Sequence, residues 1–200
     1  QLEITRREDL VPHEGYFAIS LDERVVPKHS ILLPVLSLPF VALLGVNGFL
    51  AANVAIAITL VFGVARLGGN IAAARLAAVI IFVTSTWLLY CFNYSNDLLA
   101  AALIVWAYAL ARGRHGFLAG LLAGLAIWAK VYAAIILLPL AILILPAGVR
   151  TTLWTLAGSL LGIAPMLAVN VLLYGGPLVT GYDRDARVTP DGFRLTEHYS

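Results

Sequence analysis

The long middle of the chain carries almost no charge, and this feature limits the possible folds more than any other. Only seven charged side chains fall between residues 31 and 174: Arg66, Arg75, Asp97, Arg112, Arg114, Lys130 and Arg150. Charged residues make up 12% of the whole chain, against about 25% in a soluble globular domain. Such a stretch cannot cover its own core with a water-compatible surface. The sequence therefore predicts a polytopic membrane protein with polar ends.

Charge and cysteine content exclude several other classes of protein. The formal net charge is only +2 and the sequence has no basic run. The chain therefore lacks the basic surface that a nucleic-acid partner would bind. The single cysteine, Cys91, allows neither an intramolecular disulfide nor a cysteine-rich metal site. The sequence contains no Gly-rich phosphate loop, zinc signature or nucleophile elbow. This excludes a soluble nucleotide-sugar enzyme with a Rossmann core for this segment.

The apolar runs predict an all-α fold, a polytopic bundle of transmembrane helices with extracytoplasmic loops. Backbone groups inside a bilayer must pair within their own segment, and a crossing takes about 20 helical residues. Residues 31–45 are short and interrupted by proline, so we expect a juxtamembrane helix there. The predicted domains are a loop over 1–30, a membrane region over 31–174 and a loop over 175–200. The longer apolar runs are 46–67, 70–92, 98–111, 116–145 and 151–174.

The run 116–145 is interrupted by one charge, Lys130, near its middle. Gly116, Gly120 and Gly124 recur every four residues and share one helix face, which permits close helix–helix packing. About 14 residues on either side of Lys130 give arms of roughly 21 Å, too short for a full crossing. The sequence therefore predicts a hairpin of two short helices with Lys130 near its tip.

The basic residues predict the orientation of the bundle, because cytoplasmic loops are enriched in lysine and arginine. With the loop 1–30 outside, Asp97 and the tail 175–200 fall on that same side. The basic residues at cytoplasmic helix ends are then Arg66, Arg112, Arg114 and Arg150. We expect a multi-pass protein of the plasma membrane whose active face is extracytoplasmic.

Lys130 is the residue that points most directly to a function. A lysine near the middle of a bilayer costs about 2.5–3.5 kcal/mol on insertion scales and marks a functional site by default. Its ammonium suits a phosphate group, although a lysine that snorkels to the interface is the alternative. Lys28 and His29 precede the first apolar run, where they form a second candidate phosphate site or an ordinary interfacial anchor pair.

The acidic residues Glu14, Asp22 and Glu23 are candidates for a general base, which an acceptor hydroxyl needs within hydrogen-bond reach. The alternative is that they are solvated loop charges. Asp97 opens a predicted helix, where we expect it to cap free backbone N–H groups. Its outer position leaves a binding role open. Tyr182 is a further candidate on the outer face.

Several stretches, taken in order, resemble one enzyme superfamily. They are VVPKHSILLPVLSLPFVALLG (25–45), NYSND (93–97), GFLAGLLAGLAIWAKVYAAIILLPLAIL (116–143) and NVLLYGGPLVTGYD (170–183). Together they make the chain similar to the GT-C integral-membrane glycosyltransferases. The resemblance is to bacterial relatives of dolichyl-phosphate-mannose–protein mannosyltransferases and to RgtA/B/C/D-like lipopolysaccharide-core enzymes. It covers nearly the whole chain and depends on the order and spacing of the motifs.

The resemblance implies an enzyme that transfers a sugar from a polyprenyl-phosphate carrier to a glycan, lipid or protein acceptor outside the cytoplasm. It also implies that Lys28 and Lys130 lie near the carrier phosphate, with His29 adjacent. An acceptor hydroxyl would displace the phosphate at the anomeric carbon. This chemistry requires no cofactor and no metal site is predicted, although some relatives use a divalent metal.

This chain departs from the family at its start. The family's principal acidic residue lies early in the first outer loop, before the point where this chain begins. The first residues, Gln1 to Arg7, are mostly polar or charged, which does not fit a signal peptide. We therefore expect a fragment of a longer protein, inactive alone, in which Glu14, Asp22 or Glu23 is at most accessory.

Two other functions remain open at this point. A transporter or flippase would use Lys130 to bind a substrate anion in a membrane cavity, but transporters often contain internal repeats and none is visible here. A non-enzymatic membrane scaffold would tolerate replacement of both Lys28 and Lys130.

Overall fold

The computed structural model describes residues 17–21, 25–69, 72–85, 87–183, 186–189 and 192–195. The chain divides into two compact units. We call Leu32–Ala164 the helical unit, and Gln1–Ile31 together with Pro165–Ser200 the flanking unit.

The helical unit confirms the helical class predicted from the apolar runs. Its helices are α1 (Leu32–Leu44), α2 (Gly48–Leu67), α3 (Ala72–Thr84), α4 (Trp87–Tyr90), α5 (Asn96–Arg112), α6 (Gly116–Ala129), α7 (Leu137–Ile144) and the first part of α8 (Val149–Tyr174). Short 3-10 turns lie at Gly45–Asn47, Val131–Ile136 and Leu145–Ala147.

Two helical segments of the described chain are long and apolar enough to cross a membrane. They are Leu32–Leu67 and Val149–Tyr174. Within the first, α2 alone has 20 residues, which corresponds to about 30 Å of helix and matches the thickness of a bilayer core.

The predicted short helix at 31–45 forms as α1, and it folds back on α2. The turn between them contains Gly45 with a φ of 59°, a left-handed conformation that glycine adopts without steric cost. A Cβ at Gly48 would collide with the backbone of Phe40 and Val41, so the two helices are in direct contact just beyond the turn. The position of α1 relative to a bilayer stays a prediction.

The run 70–92, predicted as one crossing, is split into α3 and α4. Ser85 lies at the break, where both its backbone N–H and its hydroxyl donate to the carbonyl of Phe82. Serine competes in this way with helical hydrogen bonding. With 13 residues, α3 is about 20 Å long, which is shorter than the predicted crossing.

The glycines of α6 pack closely against another helix, as their spacing predicts, and the structure shows that this helix is α8. A Cβ at Gly116, Gly120 or Gly124 would overlap the backbone of α8 at Thr151, Thr155 or Ser159. Glycines of α8 face back in the same way, because a Cβ at Gly158 or Gly162 would overlap α6 at Phe117 or Leu121. Small residues on both helices therefore let the two backbones touch.

The predicted hairpin around Lys130 is also confirmed. Lys130 ends α6 in an extended conformation (φ −148°, ψ 115°), and the chain returns through the 3-10 turn into α7. One buried cluster contains Ala119 and Ala123 of α6 with Leu140 and Ile144 of α7. The same cluster includes Ala107 and Ala111 of α5, so α5, α6 and α7 share one core.

Basic residues collect at one end of the helical unit. Arg112 at the end of α5 donates from Nη1 to the carbonyl of Leu67 at the end of α2 (2.6 Å). Arg114 and Arg150 line one groove beyond that helix end. Asp97 and Lys130 lie at the other ends of α5 and α6. The positions of the arginines agree with the predicted grouping, and the orientation in a membrane stays a prediction.

The flanking unit adds two short hairpins to the predicted all-α fold. Strands β1 (Phe17–Ile19) and β2 (Val25–Pro27) pair antiparallel, with Ala18 opposite Val26. Strands β3 (Ala186–Thr189) and β4 (Gly192–Leu195) form the second antiparallel pair. Strands of three or four residues are too short for the alternating pattern that predicts a strand.

Candidate functional site

A cluster of polar side chains lies where α5 begins and α6 ends, around Asp97 and Lys130. The Lys130 ammonium is 3.1 Å from Asp97 Oδ1. The same carboxylate oxygen accepts a hydrogen bond from the Tyr132 hydroxyl (2.5 Å), and Asp97 Oδ2 accepts one from the Ser95 hydroxyl (2.7 Å). Both carboxylate oxygens are therefore fixed by neighbours from two separate segments of the chain.

Local sequence explains the position of Asp97. Ser95 is extended (φ −133°, ψ 136°) and its hydroxyl oxygen accepts from the backbone N–H of Asp97 (3.2 Å). This is the geometry of an N-cap residue. The prediction that Asp97 caps α5 is therefore wrong: Ser95 caps the helix, and the Asp97 side chain is available to Tyr132 and Lys130.

A buried asparagine holds the turn that precedes α5. Asn53 of α2 is only 2% exposed. Its Nδ2 lies within donating distance of the carbonyls of Tyr90 (3.3 Å), Cys91 (3.4 Å) and Asn93 (2.9 Å). These hydrogen bonds attach the α4–α5 turn to α2, which fixes the point from which Ser95 and Asp97 start.

Lys130 is placed by the break in its helix. Because its backbone is extended, α6 stops there and the side chain reaches Asp97 while Tyr132 follows in the next turn. The ammonium also lies 5.7 Å from the centre of the Tyr132 ring, within the range of a cation–π contact. The Lys130 side chain is 20% exposed and that of Asp97 is 28% exposed. The pair is therefore partly buried but open to an exogenous ligand.

Asp97 lies outside both candidate membrane spans, and its surroundings favour the charged form. Partial burial alone would raise the pKa of this carboxyl. The hydrogen bonds from Tyr132, Ser95 and Lys130, together with the positive charge of Lys130, outweigh that effect and hold the pKa below its ordinary value. Asp97 is thus a permanent anion at neutral pH and a weak proton acceptor, suited to positioning Lys130.

A second cluster in the flanking unit brings together Lys28, His29 and Tyr182. His29 Nδ1 lies 2.7 Å from the Tyr182 hydroxyl, and the Lys28 ammonium lies 5.1 Å from the centre of the Tyr182 ring. Gly181 allows this approach, because a Cβ there would collide with the carbonyl oxygen of Lys28. Thr180 turns the chain, donating to Asp183 Oδ2 from its N–H (2.7 Å) and hydroxyl (2.8 Å).

The structure groups the predicted site residues as follows. Lys28 and His29 contact Tyr182 within the flanking unit, and Lys130 contacts Asp97 within the helical unit. A phosphate site shared by both clusters stays a prediction. The candidate bases Glu14, Asp22 and Glu23 lie outside the described residues.

Tyr132 and Ser95 are the residues that sequence reasoning missed. Tyr132 lies two positions after Lys130, so on a continuous helix it would point away from the lysine. Only the extended backbone at Lys130 brings both side chains to one carboxylate. The NYSND turn did contain a usable signal, because serine is a preferred N-cap residue.

Within the described ranges, no group of three or more His, Cys, Asp or Glu side chains is arranged to hold a metal ion.

A scan against protein-family models and searches of curated proteins and of solved structures gave no match to this chain.

Proposed function

We propose that this chain is part of a membrane glycosyltransferase that transfers a sugar from a polyprenyl-phosphate donor to an acceptor on the extracytoplasmic side. The observation that carries the proposal is the Asp97–Lys130–Tyr132 cluster at one end of a largely apolar helical unit. Lipid-linked phosphates place their charge where apolar chains meet water. A cation held at the end of apolar helices suits that position.

The proposed reaction is a displacement at the anomeric carbon of the donor sugar. The acceptor hydroxyl oxygen forms the new bond to that carbon, and the bond from the carbon to the phosphate oxygen breaks. A carboxylate takes the hydroxyl proton, and polyprenyl phosphate leaves with an additional negative charge. The Lys130 ammonium stabilises that charge as it develops, which is commonly the largest catalytic contribution.

Each residue of the cluster has a separate part in this proposal. An ammonium has three N–H donors, and one is directed at Asp97 Oδ1. Asp97 therefore orients Lys130 without using all of its donors. Because the pKa of Asp97 is lowered, Asp97 is a poor general base. We assign that part to one of the candidate carboxylates Glu14, Asp22 and Glu23.

The Lys28–His29–Tyr182 cluster supports the same function. It combines an ammonium, an imidazole and a phenol in one place, which together offer several donors to a phosphate or a sugar hydroxyl. We assign it to donor binding, with Tyr182 positioning His29.

The test is the substitution Lys130→Met in the intact protein, with sugar transfer measured from a polyprenyl-phosphate donor. We expect kcat to fall about a hundredfold, the usual cost of removing one donor to a developing charge. Lys130→Arg should restore part of the activity. The matched control is Arg66→Met, which removes an exposed cation from the other end of the unit. Unchanged turnover of Lys130→Met would remove Lys130 from the mechanism.

One observation favours a transporter as the second candidate. Transporters bind ions and substrates where helices are interrupted, and Lys130 lies in an interruption between α6 and the following turn. Uptake of a phosphorylated substrate into vesicles, lost in Lys130→Met, together with no sugar transfer by the intact protein, would favour transport over catalysis.

A further inference from the structure

The basic end of the helical unit contains a groove that the proposed function does not use. It has a volume of about 320 Å³ and lies between the α5–α6 turn and the start of α8. Arg114 and His115 line it from the turn, and Arg150, Thr151 and Trp154 line it from α8. The aromatic wall is fixed by an edge-to-face contact between Trp154 and Phe117, with ring centres 6.0 Å apart.

The two arginines of this groove have no acidic partner in the helical unit. Asp97 is the one Asp or Glu that the sequence places between Glu23 and Asp183. It lies at the opposite end of α5 and already contacts Lys130. About 15 residues of helix, or roughly 22 Å, separate it from the α5–α6 turn. Any negative charge that pairs with Arg114 or Arg150 must therefore come from outside the helical unit.

A second, apolar groove lies on α8 next to Arg150. It is lined by Val149, Leu153 and Ala157 and shares Arg150 and Trp154 with the basic groove. A ligand that fits both grooves combines a negative charge with an extended apolar chain. An anionic phospholipid has that chemistry, and basic pockets at the ends of membrane helices bind such headgroups.

The backbone at Arg114 supports a role for its side chain. Arg114 has a φ of 60°, and His115 N–H donates to the carbonyl of Leu110 (3.0 Å). This is a helix C-terminal position where glycine is usual, and an L-residue pays a steric cost there. A charged side chain is thus present at a site where the fold alone would favour glycine.

We propose that these two grooves form a binding site for an anionic phospholipid. Its phosphate lies between Arg114 and Arg150, and one acyl chain runs along α8 over Leu153 and Ala157. The site lies at the end of α5 and α6 opposite to Lys130, so this assignment does not depend on the glycosyltransferase proposal.

The experiment compares lipid binding by wild type, Arg114→Gly and Arg150→Gln, using the intact protein in a neutral detergent. Binding of dioleoyl phosphatidylglycerol and dioleoyl phosphatidylcholine is measured by native mass spectrometry, and inorganic phosphate is a third ligand. We expect wild type to prefer phosphatidylglycerol, and each arginine variant to bind it about fivefold more weakly. Binding of phosphatidylcholine should not change.

Two features keep the result interpretable. Arg114→Gly places glycine at a left-handed position, where it has no steric cost. This variant should therefore fold at least as well as wild type, and weaker binding cannot be attributed to misfolding. Arg66→Gln is the matched control, because it removes an exposed arginine that does not line the grooves. The proposal fails if phosphatidylglycerol binds both groove variants as tightly as wild type, or if all three variants lose binding equally. It also fails if inorganic phosphate displaces the lipid completely at millimolar concentration, since the apolar groove would then contribute nothing.

Discussion

The two ends of the helical unit both carry cations, but they are built in opposite ways. At one end Lys130 is matched with a carboxylate, and Asp97 is in turn fixed by Tyr132 and Ser95. At the other end Arg114 and Arg150 line an open groove that has no acidic side chain among its lining residues.

Lys130 is held in place by a carboxylate, whereas Arg114 and Arg150 can bind an external anion. An internal carboxylate fixes the geometry of an ammonium and lowers its net attraction for other anions. Arginines without such a partner keep their full attraction and their planar donor arrangement for a phosphate. We therefore assign precise positioning of a reacting phosphate to the Lys130 end, and static binding of a lipid headgroup to the arginine end.

Helix α6 connects the two ends, so disturbing its contact with α8 should have the largest effect. A leucine at Gly120 would force its Cβ into the carbonyl of Thr155, which cannot move without shifting α8. We expect Gly120→Leu to lower the free energy of unfolding by about 3 kcal/mol. The measurement is unfolding by titration with sodium dodecyl sulfate from a mild detergent.

Ala141→Leu, an enlargement at an exposed position of α7, should change stability little and serves as the control. Phosphatidylglycerol binding and sugar transfer should fall together in Gly120→Leu, because α6 carries residues of both ends. Normal stability of Gly120→Leu would contradict the close packing of α6 and α8.

Energetic coupling should distinguish the two ends next. In Lys130→Met the partly buried Asp97 carboxylate loses its cation. In Asp97→Asn the partly buried Lys130 ammonium loses its anion. We expect the double variant to be more stable than the sum of the single effects predicts, with a coupling of about 1–2 kcal/mol for this partly exposed pair. A double-mutant cycle of unfolding free energies measures it.

At the arginine end the same kind of cycle should give a different result. Arg114→Gly and Arg150→Gln remove two like charges, so neither change breaks an ion pair within the unit. We expect no favourable coupling between these two arginines. Coupling of the same sign and size at both ends would remove the distinction drawn between them.

The sequence predicted the helices better than it predicted the contacts between side chains. The long apolar runs predicted α2, α5 and α8. The four-residue spacing of Gly116, Gly120 and Gly124 predicted that one face of α6 packs closely against another helix, but not that this helix is α8. The break at Lys130 also followed from the lengths of its two arms. These are local properties that the order of residues expresses directly.

The site was predictable only in part, because its contacts join distant segments. Lys130 and Asp97 were each singled out, but their pairing depends on how α5 and α6 are juxtaposed. Tyr132 was missed because the extended backbone at Lys130 changes the direction of the side chain that follows. The sequence does offer a signal for the break at Ser85, because Thr84, Ser85 and Thr86 interrupt the apolar run. The hydrogen bond from Ser85 to Phe82 is seen only in the structure.

Acid titration should give the smallest effect and tests the Asp97 end alone. The folded-state pKa of Asp97 lies below the ordinary value of 3.8, so ionised Asp97 stabilises the folded state. That contribution is complete above about pH 5 and is lost as the pH falls through the lowered pKa. The stability difference between wild type and Asp97→Asn should therefore be constant near neutral pH and shrink below about pH 4. Lys130→Met should show a weaker acid dependence than wild type, because one cause of the lowered pKa is gone. The measurement is the unfolding midpoint of all three proteins across this pH range, and a constant wild-type difference down to acid pH would mean that Asp97 is not held ionised by its neighbours.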